Sequence, residues 1–107
     1  MIVEMRTYTL ALGATPKYLR LYEEKGLAAQ KRILGQLLGF YQTEVGELNQ
    51  IIHLWGYDSF EDRATRRKAL WSDPEWLAYV KDIGGLVIKQ ENQLLLPAPF
   101  YTPQPAA

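Results

Sequence analysis

The stretch Asn49–Leu70, NQIIHLWGYDSFEDRATRRKAL, constrains the fold of this 107-residue chain more than any other segment. Its first part is rich in residues that favour strands and predicts a strand over Gln50–Tyr57. Ser59 and Asp62 follow as a pair that resembles a capping box, which indicates that a helix begins there. The stretch also carries the only histidine, His53, and the densest cluster of arginines. A functional site is therefore expected beside this strand and helix.

The remaining segments continue the pattern of strands and helices. Thr15-Pro16 is typical of an N-cap followed by a proline at the first helical position, and Asp73-Pro74 repeats that signal. The predicted elements are, in chain order, a strand at Ile2–Leu10, a helix from Pro16 to about Ile33, strands at Leu38–Val45 and Gln50–Tyr57, helices at Phe60–Trp71 and Pro74–Asp82, and a strand at Leu86–Leu96.

This order of elements, β-α-β-β-α-β, predicts an α+β domain. With right-handed crossovers it forms a four-stranded antiparallel sheet with both helical layers on one face, the ferredoxin-like arrangement. We expect this domain to occupy residues 1–97. Residues 98–107 form a proline-rich C-terminal tail that is expected to be extended or disordered.

The turn between the second and third strands sets a predicted register for their pairing. A loop of two or four residues gives the same alignment of the two strands. Gln42 then lies opposite His53, and Phe40 lies opposite Trp55, on one face of the sheet.

Neither face of the predicted sheet is polar throughout. Helices cover one face only, and the opposite face would expose more hydrocarbon than a monomer in water normally tolerates. We therefore expect a homodimer in which two sheets pack face to face. The alternative is a monomer whose proline-rich tail folds over the open face. The two apolar sets are Phe40, Ile51, Trp55 and Tyr57 on one face, and Tyr41, Val45, Ile52 and Leu54 on the other.

Composition excludes several function classes. The formal net charge is +0, so bulk electrostatics favours neither nucleic acid nor an anionic membrane surface. The chain has no cysteine, which excludes disulfides, thiolate nucleophiles and Cys-ligated zinc. No apolar run approaches the roughly 20 residues of a membrane span, and no signal peptide is recognisable. A cytoplasmic location is the expectation.

His53 is the candidate catalytic residue. A neutral imidazole can act as an acid or a base near neutral pH, and Gln42, opposite it in the predicted register, would fix its tautomer. The alternative is a buried histidine that only completes the core. We expect no metal site, because His53 has neither a second histidine nor a cysteine to join it.

Four aromatic residues are candidates for a flat, apolar ligand-binding surface: Tyr8, Phe40, Trp55 and Tyr57. The alternative is that they belong to an ordinary core. Arg6 lies on the first strand between Glu4 and Tyr8, so it is expected to be partly buried and to need a carboxylate. That carboxylate is either the protein's own, from Glu4, Glu44 or Glu91, or it belongs to a ligand.

The helix after Ser59 carries a basic cluster, Arg63, Arg66, Arg67 and Lys68. Arg63 and Arg67 share a face, and Arg66 can pair with Asp62 one turn earlier. With acidic residues beside it and no net charge overall, the cluster is expected to be a solvated, ion-paired surface. Nucleic-acid binding is not expected, and no motif for nucleotides, zinc proteases or serine hydrolases occurs.

Taken together, several segments resemble the NIPSNAP family within the dimeric α/β-barrel superfamily. The resemblance implies a ferredoxin-like protomer and a homodimer whose sheets form a barrel. It implies a site between sheet and helices, so that His53, Trp55 and Tyr57 would face the helices while Ile52 and Leu54 meet the partner. The matching segments are EMRTYTL, YLRLYEEKGL, TEVGELNQIIHLWGYDSFEDRATRRKAL, DPEW, QENQLL and PAPF.

The same resemblance informs the expected chemistry. Relatives in the superfamily include cofactor-free monooxygenases and haem-degrading enzymes, and the latter use a histidine on the helix after the third strand. Phe60–Trp71 contains no histidine, so we expect neither haem nor any other cofactor. Animal members are associated with mitochondria and carry a targeting sequence, which is not recognisable here.

Two functional hypotheses follow, and the sequence leaves open whether the chain is an enzyme. The first is a dimeric protein that binds a hydrophobic or aromatic small molecule between sheet and helices, and that catalyses a cofactor-independent oxygenation or isomerisation with His53. The second is a non-enzymatic module that binds other proteins. A ligand-sized cavity lined by His53, Trp55 and Arg6 would favour the first hypothesis, and a filled core would favour the second.

Overall fold

In the computed structural model, which describes residues 1–105, helices pack on one face of a four-stranded antiparallel sheet. The strands lie in the order β2-β3-β1-β4, with β1 paired to both β3 and β4. This is the ferredoxin-like order, so the predicted fold is confirmed. The elements are β1 Ile2–Leu10, α1 Thr15–Leu21, α2 Leu27–Leu34, β2 Gln36–Gln42, β3 Gln50–Tyr57, α3 Phe60–Leu70, α4 Pro74–Asp82 and β4 Val87–Leu95.

Local signals placed most of the helix starts correctly. The Ser59 hydroxyl accepts a hydrogen bond from the Asp62 amide at 3.0 Å, and the Asp73 carboxylate accepts one from the Trp76 amide at 3.0 Å. The prediction for Thr15 was wrong, because Ala14 is the N-cap of α1 and makes no side-chain capping bond. There the fixed φ of the proline pre-organises the first turn without help from a capping side chain.

The first helical layer is not the continuous helix that the sequence predicted. A π-helical turn, Tyr22–Gly26, separates α1 from α2. Gly26 lies in this turn, and a Cβ added there would meet a ring carbon of Tyr22 at 3.0 Å and ring carbons of Tyr79 at 3.1 Å. The glycine thus allows the Tyr79 ring of α4 to approach the helix backbone closely, which positions an aromatic side chain over the sheet.

The pairing of β2 with β3 differs from the predicted register by two residues. Phe40 lies opposite His53 and Gln42 lies opposite Ile51, so Gln42 is not the partner of His53. The cause is a longer turn over residues 44–49, which the Thr43 amide closes by donating to the Gln50 carbonyl. Because the shift is an even number of residues, the side chains of Phe40, Tyr41 and Gln42 keep their predicted faces.

A β-bulge between Leu37 and Gly39 changes the pairing again at the other end of β2. Leu37 lies opposite Trp55, where Phe40 was predicted. A bulge adds a residue to one strand without a partner, and strand periodicity alone does not reveal it.

The two faces of the sheet have different surroundings. On the helix face, Tyr8, Ile51 and Trp55 are buried in a core shared with the helices. The opposite face is open, and a groove of about 450 Å³ lies between it and the C-terminal tail, with Leu54 on the sheet side and Tyr101 on the tail side. Within residues 98–105 the tail contains no helix or strand, and residues 106–107 of the predicted tail lie outside the described part of the chain.

Strand β4 is exposed along most of its length, which leaves Leu94 and Leu95 partly open to solvent. The tail therefore covers only part of the open face. Across residues 1–105, no helix combines the length and the apolar character that crossing a membrane requires.

Candidate functional site

A cavity of about 140 Å³ lies between the sheet and the helices. The sheet contributes Arg6, Tyr8 and His53 to its walls, and these side chains alternate with residues of the open face along β1 and β3. The helices contribute Tyr18, Tyr22, Gln30, Arg67, Trp76 and Tyr79. The cavity is thus at the helix–sheet interface, which is where the resemblance predicts a site.

His53 is buried, and a neighbour on its own strand determines its tautomer. The indole N–H of Trp55 donates to Nδ1 of His53 at 2.7 Å. An indole N–H can only donate, so Nδ1 must accept and the ring proton resides on Nε2. Trp55 therefore has the role that the sequence had assigned to Gln42, which is exposed at the end of β2.

The protonation state of His53 follows from its burial. Desolvation, and to a lesser extent the positive charge of Arg6, lower the pKa of His53 from 6.5 to about 3. The imidazole is therefore neutral at physiological pH. Its Nε2 is buried and has no hydrogen-bond partner among residues 1–105. His53 thus adds an unused N–H donor to the cavity wall.

Arg6 pairs with Glu4, one of the three glutamates that the sequence analysis predicted as possible partners. Its guanidinium donates to Glu4 Oε2 at 3.1 Å and, through Nε, to the Tyr8 hydroxyl at 3.1 Å. The same Oε2 atom accepts from Arg63 at 2.7 Å and from Asn92 at 2.8 Å. Burial alone would raise the pKa of the Glu4 carboxyl, but these bonds and the charges of Arg6 and Arg63 lower it instead.

The prediction of a solvated, ion-paired surface was wrong for two arginines of α3. Arg63 is partly buried and pairs with the buried Glu4. Arg67 is half-buried and lines the cavity. It forms no salt bridge within residues 1–105, whereas Arg66 pairs with Asp62 at 2.9 Å as predicted. Desolvation and the nearby charge of Arg6 lower the pKa of Arg67. This guanidinium is therefore a cation without a matching anion.

Trp76 adds a further donor to the same cavity. Its indole N–H is buried and has no acceptor within the described part of the chain. The residues that line the cavity include two arginines and no aspartate or glutamate. The polar atoms left over in the cavity wall are thus mainly donors, and the local charge is positive.

Aromatic rings form most of the apolar wall. Tyr8 and Tyr18 meet edge to face at 6.5 Å, and Tyr18 stacks on Tyr22 at 6.4 Å. Phe40, a predicted ligand-binding residue, stacks on Tyr22 at 4.6 Å and lies behind the wall. The tyrosines at positions 18 and 22 are ionised only with difficulty, because burial raises the pKa of each.

The other predicted site residues lie apart from the cavity. Trp55 and Tyr57 are fully buried and belong to the core between β3 and the helices. Burial and then the charge of Glu4 raise the pKa of Tyr57 to about 12, so its hydroxyl stays protonated. Of the residues predicted from the sequence, the structure brings together Arg6, Tyr8 and His53 around the cavity.

Several cavity residues were not predicted as site residues from the sequence. Tyr18 and Tyr22, four residues apart, and Trp76 and Tyr79, three apart, follow helical spacing and place pairs of rings on one side of a helix. The same spacing is typical of helix residues that pack in a hydrophobic core, so it does not by itself indicate a ligand site. Only the packing of several helices and strands around one space distinguishes these residues from core.

The comparisons with known proteins agree on one family. A family model described as NIPSNAP matches residues 3–102. A NipSnap homolog from Dictyostelium discoideum is 32% identical over 94 residues, which are 88% of this chain and 41% of that protein. The chain spans less than half of the length of the curated relatives that it matches.

Solved structures give the same picture. A NIPSNAP family protein of unknown function from Agrobacterium tumefaciens superposes with a TM-score of 0.93 at 41% identity, covering 97% of this chain and 94% of that one. A structure described as an antibiotic biosynthesis monooxygenase has a TM-score of 0.63 at 13% identity, covering 92% of this chain and 100% of that one. The second likeness shows the fold alone.

Acidification is expected to destabilise the protein from about pH 6.5 downward. The unfolded chain protonates His53 near pH 6.5, while the folded protein does so only near pH 3. Between these values the unfolded state binds the extra proton, so the free energy of unfolding falls by about 1.4 kcal/mol per pH unit as the pH drops. Urea unfolding between about pH 7 and 5 measures this slope, and His53→Gln should flatten it. If the unfolding free energy of the wild type and of His53→Gln changes equally with pH, the low pKa of His53 is contradicted.

Replacing the shared carboxylate is expected to destabilise the fold strongly. Glu4→Gln leaves the buried Arg6 and the half-buried Arg63 without their anion, which costs about 3–5 kcal/mol of unfolding free energy. Equilibrium denaturation measures the loss. Glu91→Gln, which breaks only an exposed pair with Lys89, is the matched control and should change little. If Glu4→Gln lowers the unfolding free energy as little as Glu91→Gln does, the Glu4 network is dispensable for stability.

Proposed function

The chain belongs to the NIPSNAP family, and from its cavity we propose that it binds a small, largely apolar molecule between the sheet and the helices. The supporting observation is the cavity of about 140 Å³, which tyrosine rings and unpaired polar atoms line together. Ligand sites are mostly apolar concavities with a few convergent polar groups, and this cavity has that composition.

The alternative, a protein-binding module without a ligand, is less well supported. It requires a filled core beneath the helices, whereas His53 and Trp76 each have a buried N–H without an acceptor in the described residues. Buried polar atoms normally find partners, because each unsatisfied one costs about 1–3 kcal/mol. A bound molecule would supply those acceptors.

The proposal extends to a cofactor-independent isomerisation or oxygenation of the bound molecule. In such a reaction His53 would donate a hydrogen bond through Nε2 rather than remove a proton. Its other nitrogen already accepts from Trp55, and the low pKa of about 3 makes the imidazole a weak base. A neutral histidine that donates in this way stabilises negative charge that develops on an oxygen.

We also propose that two copies associate through the open sheet faces. Tyr41 is 60% exposed on this face, and the tail leaves Leu95 partly uncovered. An apolar face of this kind is expected to find a partner in water. A second copy of the chain offers the same surface and would cover it symmetrically.

Filling the cavity should abolish ligand binding. Val80 lines the cavity from α4, so Val80→Trp occupies the space, whereas Leu77→Trp on the exposed side of the same helix does not. Native mass spectrometry of protein purified from its own host should show a small bound molecule with the wild type and with Leu77→Trp. The Val80→Trp variant should lack it. Retention of the molecule by Val80→Trp would contradict a ligand site in this cavity.

The proposed dimer is tested by its mass. Sedimentation equilibrium at micromolar concentration should give twice the 12.3 kDa of one chain. Leu95→Glu introduces a charge on the open face and should shift the equilibrium toward monomer. Leu77→Glu, on the outer side of α4, should leave it unchanged. A wild-type species of 12.3 kDa would exclude the dimer.

A further inference from the structure

We propose that the cavity binds the carboxylate of a small acid with an apolar body, and that this carboxylate lies between the guanidinium groups of Arg6 and Arg67. The inference rests on the proposed ligand-binding function and specifies the chemical class of the ligand. It follows from the charge, the hydrogen-bonding capacity and the size of the cavity.

The charge of the site is not balanced by the protein. Arg6, Arg63 and Arg67 lie near a single carboxylate, Glu4. One oxygen of that carboxylate already accepts from Arg6, Arg63 and Asn92. Arg67 forms no salt bridge with any residue in the range 1–105, and burial disfavours an unpaired charge. An anion bound in the cavity would provide the missing partner.

The neutral polar atoms of the wall need the same kind of partner. Nε2 of His53 carries the ring proton because Nδ1 accepts from Trp55. The indole N–H of Trp76 can only donate. Both atoms are buried without an acceptor in the described chain, although His53 and Trp76 are 1% and 6% exposed. Both donors belong to residues that line the cavity, one on the sheet side and one on the helix side, and neither has an acceptor within the described chain.

The shape of the guanidinium groups favours a carboxylate over other anions. Arginine forms planar, parallel hydrogen bonds to the two oxygens of a carboxylate. Inorganic phosphate also pairs with arginine, but its four oxygens leave no apolar surface for the rings of Tyr8, Tyr18 and Tyr22. A carboxylate attached to a hydrocarbon satisfies the arginines at one end and the tyrosine rings at the other.

The volume limits the size of the hydrocarbon. An apolar protein cavity of about 150 Å³ holds one benzene ring. The cavity here is about 140 Å³, so it accommodates a single ring or a short aliphatic chain. The ligand class is thus a monocyclic aromatic acid or a short-chain aliphatic acid. Polycyclic molecules would require the helices to move.

The test compares an anionic probe with its neutral analogue on the full chain. Benzoate and benzamide have nearly the same shape, and they differ in charge and in the replacement of one acceptor by donors. The single histidine provides the readout, because binding shifts the ring resonances of His53 in a nitrogen–proton NMR titration. Wild-type protein at low ionic strength should bind benzoate at least tenfold more tightly than benzamide.

Two variants locate the charge that recognises the anion. Arg67→Met retains most of the apolar side chain and should weaken benzoate binding at least tenfold while leaving benzamide binding unchanged. Arg66→Met, which removes a charge one position away that is paired with Asp62, should leave both affinities unchanged. Trp76→Phe removes a neutral donor and should weaken benzoate binding to a smaller extent.

The outcomes separate this inference from the function on which it rests. Equal binding of benzoate and benzamide, or equal effects of Arg67→Met and Arg66→Met, would overturn the carboxylate site and leave a neutral ligand in the cavity. Inorganic phosphate that binds more tightly than benzoate would overturn the apolar acid in favour of a bare anion. If neither benzoate, hexanoate nor benzamide shifts the His53 resonances, both the carboxylate site and the one-ring ligand pocket are contradicted.

Discussion

A fully buried carboxylate, Glu4, is the interaction on which the rest of the structure depends. Its Oε2 atom accepts hydrogen bonds from Arg6 on β1, Arg63 on α3 and Asn92 on β4. A charge removed from water costs several kcal/mol unless partners surround it, so these three elements are tied to one point. The network fixes the position of α3 against the sheet and thereby brings Arg67, one turn further along, into the cavity.

The polarity of the cavity is a consequence of this network. Glu4 provides one negative charge for the two arginines that bind it directly, and Arg67 remains outside its hydrogen bonds. Trp55 occupies the acceptor nitrogen of His53, which leaves the donor nitrogen for the cavity. Residues of the cavity wall therefore carry N–H donors that no acceptor of the described chain satisfies. A donor-rich, positively charged pocket among tyrosine rings complements an apolar anion.

Local sequence signals predicted much of the fold, because strand alternation and capping act over a few residues. The bounds of β1, β3 and α4 were predicted correctly, and the parity of β3 grouped His53 with Trp55 on one face, which the family resemblance directed toward the helices. The register of β2 was wrong because its turn extends over residues 44–49 and a bulge follows Leu37. Turn length and bulges depend on how the two strands fit the whole sheet, and periodicity alone does not encode them.

The site was predicted less completely than the fold, since its residues come from segments far apart in the chain. Alternation on β1 identified Arg6 and Tyr8, and Glu4 was among the partners considered for Arg6. Arg67 could not be recognised, because its charge pattern on α3 matches that of a solvated helix. Its charged neighbours Arg6 and Glu4 lie on β1, far from it in sequence.

The anion-binding space proposed between Arg6 and Arg67 can be seen in a high-resolution crystal structure of the protein purified from its own host. We expect a planar density feature with two oxygens in hydrogen-bonding distance of both guanidinium groups and of Nε2 of His53. An Arg67 side chain paired with a carboxylate of the protein itself, or a cavity closed by neighbouring side chains, would contradict it.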